Sequence, residues 1–252
     1  MPSFATKNGD GAPARRTVLR GLALGGVSLA LSACAAAASK AADGTPGSAV
    51  PVLPNPEAPK TPDGALQRLL DGNKRLLANR TLHPQTLDDI RKHAAGQAPY
   101  AQVFGCADSR VPVEVVFDED FGDLFVTRTA GNVLSDATVG TIEYGVLALN
   151  TPLILVLGHQ SCGAVKAAVD AMKDPAKLPS GPLGGLVSAL LPAAREAKDR
   201  GADIYPAALE AHVRSVVATL QKTPSLTGPI AQGKLRVVGA SYDLATGAVT
   251  MY

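Results

Sequence analysis

Two cysteines and one histidine in the body of this chain have the types and places to hold a metal ion. Cys106 closes an apolar run in Val103-Phe104-Gly105-Cys106-Ala107-Asp108-Ser109-Arg110. His159 and Cys162 follow another, in Leu157-Gly158-His159-Gln160-Ser161-Cys162-Gly163. Two thiolates and an imidazole form a three-donor zinc set with a fourth position open, the pattern of a catalytic zinc rather than a closed structural one. Asp108 and Arg110 follow closely, and side chains at i and i+2 of an extended segment point the same way, so the two can meet across Ser109. A carboxylate beside zinc can ligate it or accept a hydrogen bond from its water. A two-pronged arginine can hold that carboxylate off the metal. Other readings of the same residues stay open here. Cys106 and Cys162 could form a disulfide, which an exported protein permits, or be plain buried cysteines. Asp108 and Arg110 could be a surface ion pair in a turn, worth little.

Four short apolar runs, 101–105, 124–127, 153–157 and 235–239, read as buried parallel strands. Helical patterns cover 138–149, 163–172, 186–198 and 205–221, and 243–250 reads as a turn and a short edge strand. This alternation predicts an α/β fold: three layers, a mainly parallel four-stranded sheet with crossover helices, an N-terminal helical arm and a short C-terminal edge strand. Ligands of such sheets bind beyond the carboxyl ends of the strands. Cys106 and His159 fall there, and Cys162 opens the next helix, whose dipole favours a thiolate. In the arm, Thr61, Pro62 and Asp63 read as a helix start. Leu66, Leu69, Leu70, Asn73, Leu76 and Leu77 then form its apolar stripe. A second short helix starts at Thr86 and ends near Gly96. Packing of this arm on its own chain or on a partner is equally open. The segment 173–185, with three prolines and three glycines, reads as a surface loop.

The chain has 252 residues, 46% of them hydrophobic, with no Trp and 4% aromatics. A nucleic-acid binder that stacks bases on aromatic side chains is not indicated. The net charge is +2. Residues 1–33 hold Lys7, Arg15, Arg16 and Arg20 against Asp10, which leaves the remainder at −1. That near-neutral body gives no electrostatic reason to expect nucleic acid or an anionic surface. Arg15-Arg16 before an uncharged segment rich in Gly and Ala resembles a twin-arginine export signal, too short for a mature membrane span. Leu31-Ser32-Ala33-Cys34 resembles a lipobox, in which Cys34 becomes an acylated N-terminus; an ordinary cleaved signal with an incidental cysteine is the alternative. The expected organisation is therefore an export signal over 1–33, a flexible tether over 34–60, lipid-anchored or free, and a folded domain over 61–252. The expected location is the extracytoplasmic side of the cell envelope.

Cys106-Ala107-Asp108-Ser109-Arg110-Val111-Pro112 and His159-Gln160-Ser161-Cys162-Gly163-Ala164-Val165 resemble the two signatures of the β-class carbonic anhydrases. Gly122-Asp123-Leu124-Phe125-Val126, Arg128-Thr129-Ala130-Gly131-Asn132, Ile142-Glu143-Tyr144 and Gly239-Ala240-Ser241-Tyr242-Asp243-Leu244 extend the likeness in the same order over roughly 63–250. The resemblance implies one zinc ion per chain on Cys106, His159 and Cys162, with Asp108 and Arg110 as the catalytic pair. It implies reversible hydration of CO2 to bicarbonate and a proton by hydroxide on zinc. Gln97 falls where related enzymes place a glutamine that donates to substrate. Phe125, Ala130, Gly131 and Tyr144 fall on the apolar CO2 pocket, commonly across a dimer interface. The family also implies a homodimer or homotetramer. It has two states: Asp108 paired with Arg110 beside an open zinc, or Asp108 closed onto the metal as a fourth ligand. No residue identifies itself as the proton shuttle, because His83, His93 and His212 read as surface or capping residues. Two other functions are compatible with the motifs, a hydrolase of carbonyl sulfide or carbon disulfide on the same fold and a non-catalytic zinc-binding envelope protein.

Overall fold

Helix α1 (Pro62–Leu77) starts as its sequence predicts, with the Thr61 hydroxyl accepting from the Gly64 N–H at 3.2 Å and Pro62 in the first turn. The computed structural model describes residues 57–83, 86–201 and 203–252. The chain divides into units 1–46 and 47–252, and the described residues all lie in the second. The expected export signal and Cys34 lie outside the described residues, as does most of the tether. Among the described residues no helix is long and apolar enough to cross a membrane.

Strands β1 (Ala101–Cys106), β2 (Leu124–Thr129), β3 (Leu153–His159) and β4 (Arg236–Tyr242) are parallel in the order β2-β1-β3-β4. A three-residue strand, β5 (Val249–Met251), adds antiparallel to β4. The sheet is thus the expected four parallel strands with a short edge strand. Its central strand is buried on both faces. Leu153, Leu155 and Leu157 join the core beneath α1, with Val103, Phe117 and Leu69. Ile154 and Val156 join the opposite core, under the crossover helices, with Phe104, Leu190 and Val213.

Those helices are α4 (Asp136–Leu147), α5 (Gly163–Lys173), α6 (Gly181–Ala197) and α7 (Ile204–Gln221). Between β1 and β2 runs the one-turn helix α3 (Val113–Val116), and α8 (Pro224–Ala231) precedes β4. The expected loop over 173–185 is corrected. It holds a 3-10 turn at Pro175–Lys177, and α6 already begins at Gly181. Pro182 is tolerated in a first helical turn. Gly184 lets the helix approach the preceding loop, since a Cβ there would meet the Pro179 carbonyl oxygen at 2.0 Å. The apparent loop signals are therefore the start of a helix. α8 was not visible in the sequence because Gly228 and Pro229 interrupt its pattern; Leu226 buries it all the same.

The arm packs on its own chain through α1. Ala65, Leu69 and Asn73 are buried. Asn73 Nδ2 donates to Val116 O and Gly247 O, and its Oδ1 accepts from Val249 N–H at 3.0 Å. Arg68 joins Glu119 and Asp123, both at 2.7 Å, and lies 4.4 Å over the Tyr100 ring. The shorter α2 (Leu87–Lys92) opens with a Thr86–Asp89 capping box and buries none of its residues.

Candidate metal centre

The chain passes from β1 to β2 on one side of β1 and returns to β3 on the other. That reversal opens a crevice at the carboxyl ends of β1 and β3, the usual place for a ligand in such a sheet. Cys106 is the last residue of β1 and His159 the last of β3. Between His159 and Cys162 the chain turns through Ser161, whose φ of +55° lies in the left-handed region. Cys162 is thereby set as the N-cap of α5, facing Cys106. The three donor atoms lie within 4.8 Å of one another, and all three residues are buried.

The donor set fits zinc. Cys106 Sγ and Cys162 Sγ are 3.9 Å apart. A tetrahedral ion with Zn–S bonds of about 2.3 Å separates its sulfurs by about 3.8 Å, whereas a disulfide needs about 2.0 Å. The disulfide alternative is thus not what this chain adopts; both cysteines are free. His159 Nδ1–H donates to Gln160 O at 2.8 Å, which fixes the tautomer and leaves the Nε2 lone pair for a metal. No hydrogen bond from the described residues reaches this buried Nε2.

The backbone around the sulfurs is arranged for negative charge. Gly131 N–H donates to Cys106 Sγ at 3.3 Å. Gly131 must be glycine there: its φ is +64°, and a Cβ would lie 2.8 Å from Ala164 Cβ. The neighbouring Cys162 and this N–H hold the Cys106 thiol below its ordinary value. The Cys106 thiolate and burial push Cys162 upward, against the first-turn amides of α5. A cation takes both sulfurs as thiolates, so its binding would be coupled to proton release.

Asp108 and Arg110 meet as their spacing predicts. Arg110 Nε donates to Oδ1 at 2.9 Å and Nη2 to Oδ2 at 2.7 Å, while Arg110 N–H also reaches Oδ1. These bonds hold the Asp108 carboxyl well below the usual carboxylate range. Asp108 Oδ2 stands 3.8 Å from His159 Nε2, beside the donor set but not within it.

Residues that sequence reasoning gave no role complete the frame. Arg128 donates to Cys106 O at 2.8 Å and to Asp108 O at 2.6 Å. Asn132 Nδ2 donates to Phe104 O and Leu157 O, tying β1 to β3 beneath the centre. The Tyr205 hydroxyl accepts from Cys162 N–H. Arg128 and Asn132 lie inside a motif read only as a likeness. Tyr205 carries no sequence signal beyond marking a helix start.

The expected pocket divides. Ala130 and Gly131 adjoin Cys106 through the Gly131 N–H. Gln97 does not: it precedes the amino end of β1, and about 17 Å of strand lies between it and Cys106. Phe125 pairs in register with Gln102, whereas Cys106 pairs with Thr129, so Phe125 lies about 13 Å back along the sheet. Its ring packs 5.9 Å from that of Tyr144 on the outer edge of the sheet. Tyr144 is 36% exposed and Leu147 of the same helix 56%. Of the expected surface histidines, His212 is corrected: it is buried on α7, and burial lowers its pKa.

Fold and donors together define a mainly parallel α/β protein with three buried donors able to hold a metal at its topological switch. Comparison with known proteins narrows that class. The sequence profile described as carbonic anhydrase matches residues 101–249, from β1 to β5. Carbonic anhydrase 2 of Mycobacterium tuberculosis is 43% identical over 192 residues, covering 75% of this chain and 92% of the relative. The solved structure of the β-carbonic anhydrase CcaA superposes with a TM-score of 0.60 at 26% identity, covering 74% of this chain and 94% of that one. One of two tetrameric β-carbonic anhydrases from Sordaria macrospora gives 0.55 at 27%, covering 64% and 84%. The chain belongs to the carbonic anhydrase family, in its β class, and the enzyme is a carbonic anhydrase. That class is zinc-dependent, which agrees with the donors found here.

Proposed function

We propose that this chain hydrates CO2 reversibly to bicarbonate and a proton at Cys106, His159 and Cys162, with Asp108 and Arg110 as the catalytic pair. The observation that carries this reading is the place of Asp108: ionised, locked on Arg110, and beside the metal donors without joining them. That favours the open of the two family states. Zinc, when bound, supplies Lewis acidity that brings the pKa of a coordinated water toward neutrality. Asp108 Oδ2, fixed beside the three donors, would accept a hydrogen bond from an oxygen held there and so orient it. Arg110 keeps Asp108 ionised and away from the metal. Gly131 N–H and the first turn of α5 hold the charge of the two sulfurs.

Gln97, Phe125 and Tyr144 serve the pocket of a second copy. Their distance from their own Cys106 and the exposure of Tyr144 support this, and a β-class relative is described as tetrameric. We also infer export by the twin-arginine route over residues 1–33 and acylation of Cys34. A flexible tether over 34–60 then carries the 61–252 enzyme on the extracytoplasmic side. Arg15-Arg16, the uncharged segment after them and Leu31-Ser32-Ala33-Cys34 support that reading. Metal content and CO2 hydration of the wild type against Cys162→Ser test the catalytic reading: the variant should lose both.

A further inference from the structure

Resting on the metal reading above, we propose that Tyr205 is a positioning residue of the metal centre, holding Cys162 by its backbone so that the sulfur stays opposite Cys106. The Tyr205 hydroxyl accepts from Cys162 N–H and donates to Cys162 O at 3.3 Å. One phenol thus grips both polar backbone groups of a metal donor. The grip falls where the chain is hardest to hold. Ser161, just before, has a φ of +55°, a conformation that residues with a Cβ keep only when neighbours impose it.

The turn is held from two sides. Arg110 Nη2 donates to Ser161 O at 3.2 Å, with the same guanidinium that locks Asp108. Tyr205 reaches it from the other direction, at the head of α7. That helix is a firm base. Asp203 caps its start by accepting from Tyr205 N–H at 3.1 Å, and Ala208, Leu209, Val213, Val216 and Leu220 bury it in the core. The Cys162 sulfur is therefore located by two packed elements, α5 behind it and α7 beside it. Partners of this kind orient metal donors, and their loss commonly costs 10–100-fold in metal affinity.

The test is zinc release from the loaded full chain into the chromogenic chelator 4-(2-pyridylazo)resorcinol, wild type against Tyr205→Phe. The variant keeps the ring and loses only the hydroxyl. Release should quicken by roughly 10–100-fold, while the two metal-free proteins keep the same far-UV circular dichroism and the variant's unfolding temperature falls only by the few degrees a lost hydrogen bond costs. With cobalt in place of zinc, the thiolate-to-metal absorption band should shift in the variant. An unchanged release rate and an unchanged band would overturn the proposal. If the variant does not fold, amide exchange in the wild type decides: a protected Cys162 N–H is expected, and exchange at the solvent rate would overturn it. A wild type that takes up no zinc would sink the metal reading itself, an outcome distinct from a loaded wild type that matches its variant.

Discussion

Arg110 grips the Asp108 carboxylate with both arms of its fork, at 2.9 and 2.7 Å, and presents Oδ2 3.8 Å from His159 Nε2. The pair therefore faces the metal donors while staying outside the donor set. Asp108→Ala should keep zinc, because all three donors remain, and lose at least roughly 100-fold in kcat/KM. Metal analysis beside stopped-flow hydration checks both halves. Arg110→Lys should also lose activity, since an ammonium cannot reproduce the two-pronged hold.

Gly131 connects the apolar core to a sulfur. Its N–H reaches Cys106 Sγ, and its φ and the contact with Ala164 leave no room for a Cβ. Gly131→Ala should lower stability by about 2 kcal/mol and weaken zinc retention. Denaturant unfolding of the metal-free protein and chelator competition of the loaded one measure the two effects. A stable variant with normal retention would contradict the role given to this N–H.

Glu119 gives stability a defined pH dependence. Burial raises its carboxyl to about 7, against the opposing pull of Arg68, from an unfolded value of 4.5. A raised carboxyl pKa means that the folded state binds the proton more tightly. Its contribution is full below about 4.5 and is lost as the pH rises through about 7. Between pH 5 and 8 the urea midpoint of the wild type should therefore fall relative to that of Glu119→Gln. Parallel midpoints across that range would refute the assignment.

Gln97 precedes the amino end of β1 and Cys106 closes its carboxyl end, so a composite site can be tested by complementation. Gln97→Ala and Cys162→Ser should each be nearly inactive alone. Mixed subunits of the two should recover about a quarter of wild-type activity, because half of the dimers are mixed and each mixed dimer holds one intact site. No recovery on proven subunit exchange would place Gln97 in its own chain's chemistry or in none.

The strands and the donor set were legible because their signals are local. Buried apolar runs mark β1 and β3, and Cys106 and His159 sit at their ends, where a parallel sheet exposes its crevice. The Asp108–Arg110 pair followed from spacing alone. The frame behind the donors was not legible. Asn132 spans two strands that are distant in sequence, and Tyr205 reaches Cys162 from 43 residues away. Such contacts exist only after the sheet and α7 have packed. His212 was misplaced for the same reason: the pattern of α7 gives its helix, but not that its polar side turns inward against the segment holding Gly131. α6 was shortened because Pro182 and its glycines are helix-start and close-packing residues as well as loop residues.

One zinc ion on Cys106, His159 and Cys162 is what would make this chain a CO2 hydratase. Stopped-flow hydration of CO2, followed by a pH indicator as zinc is titrated into the metal-free protein, tests it most directly. Activity should rise linearly and reach its plateau at one zinc per chain, with no rise in Cys162→Ser. Full activity without zinc, or a loaded wild type no faster than the buffer, would rule out catalysis at these three residues.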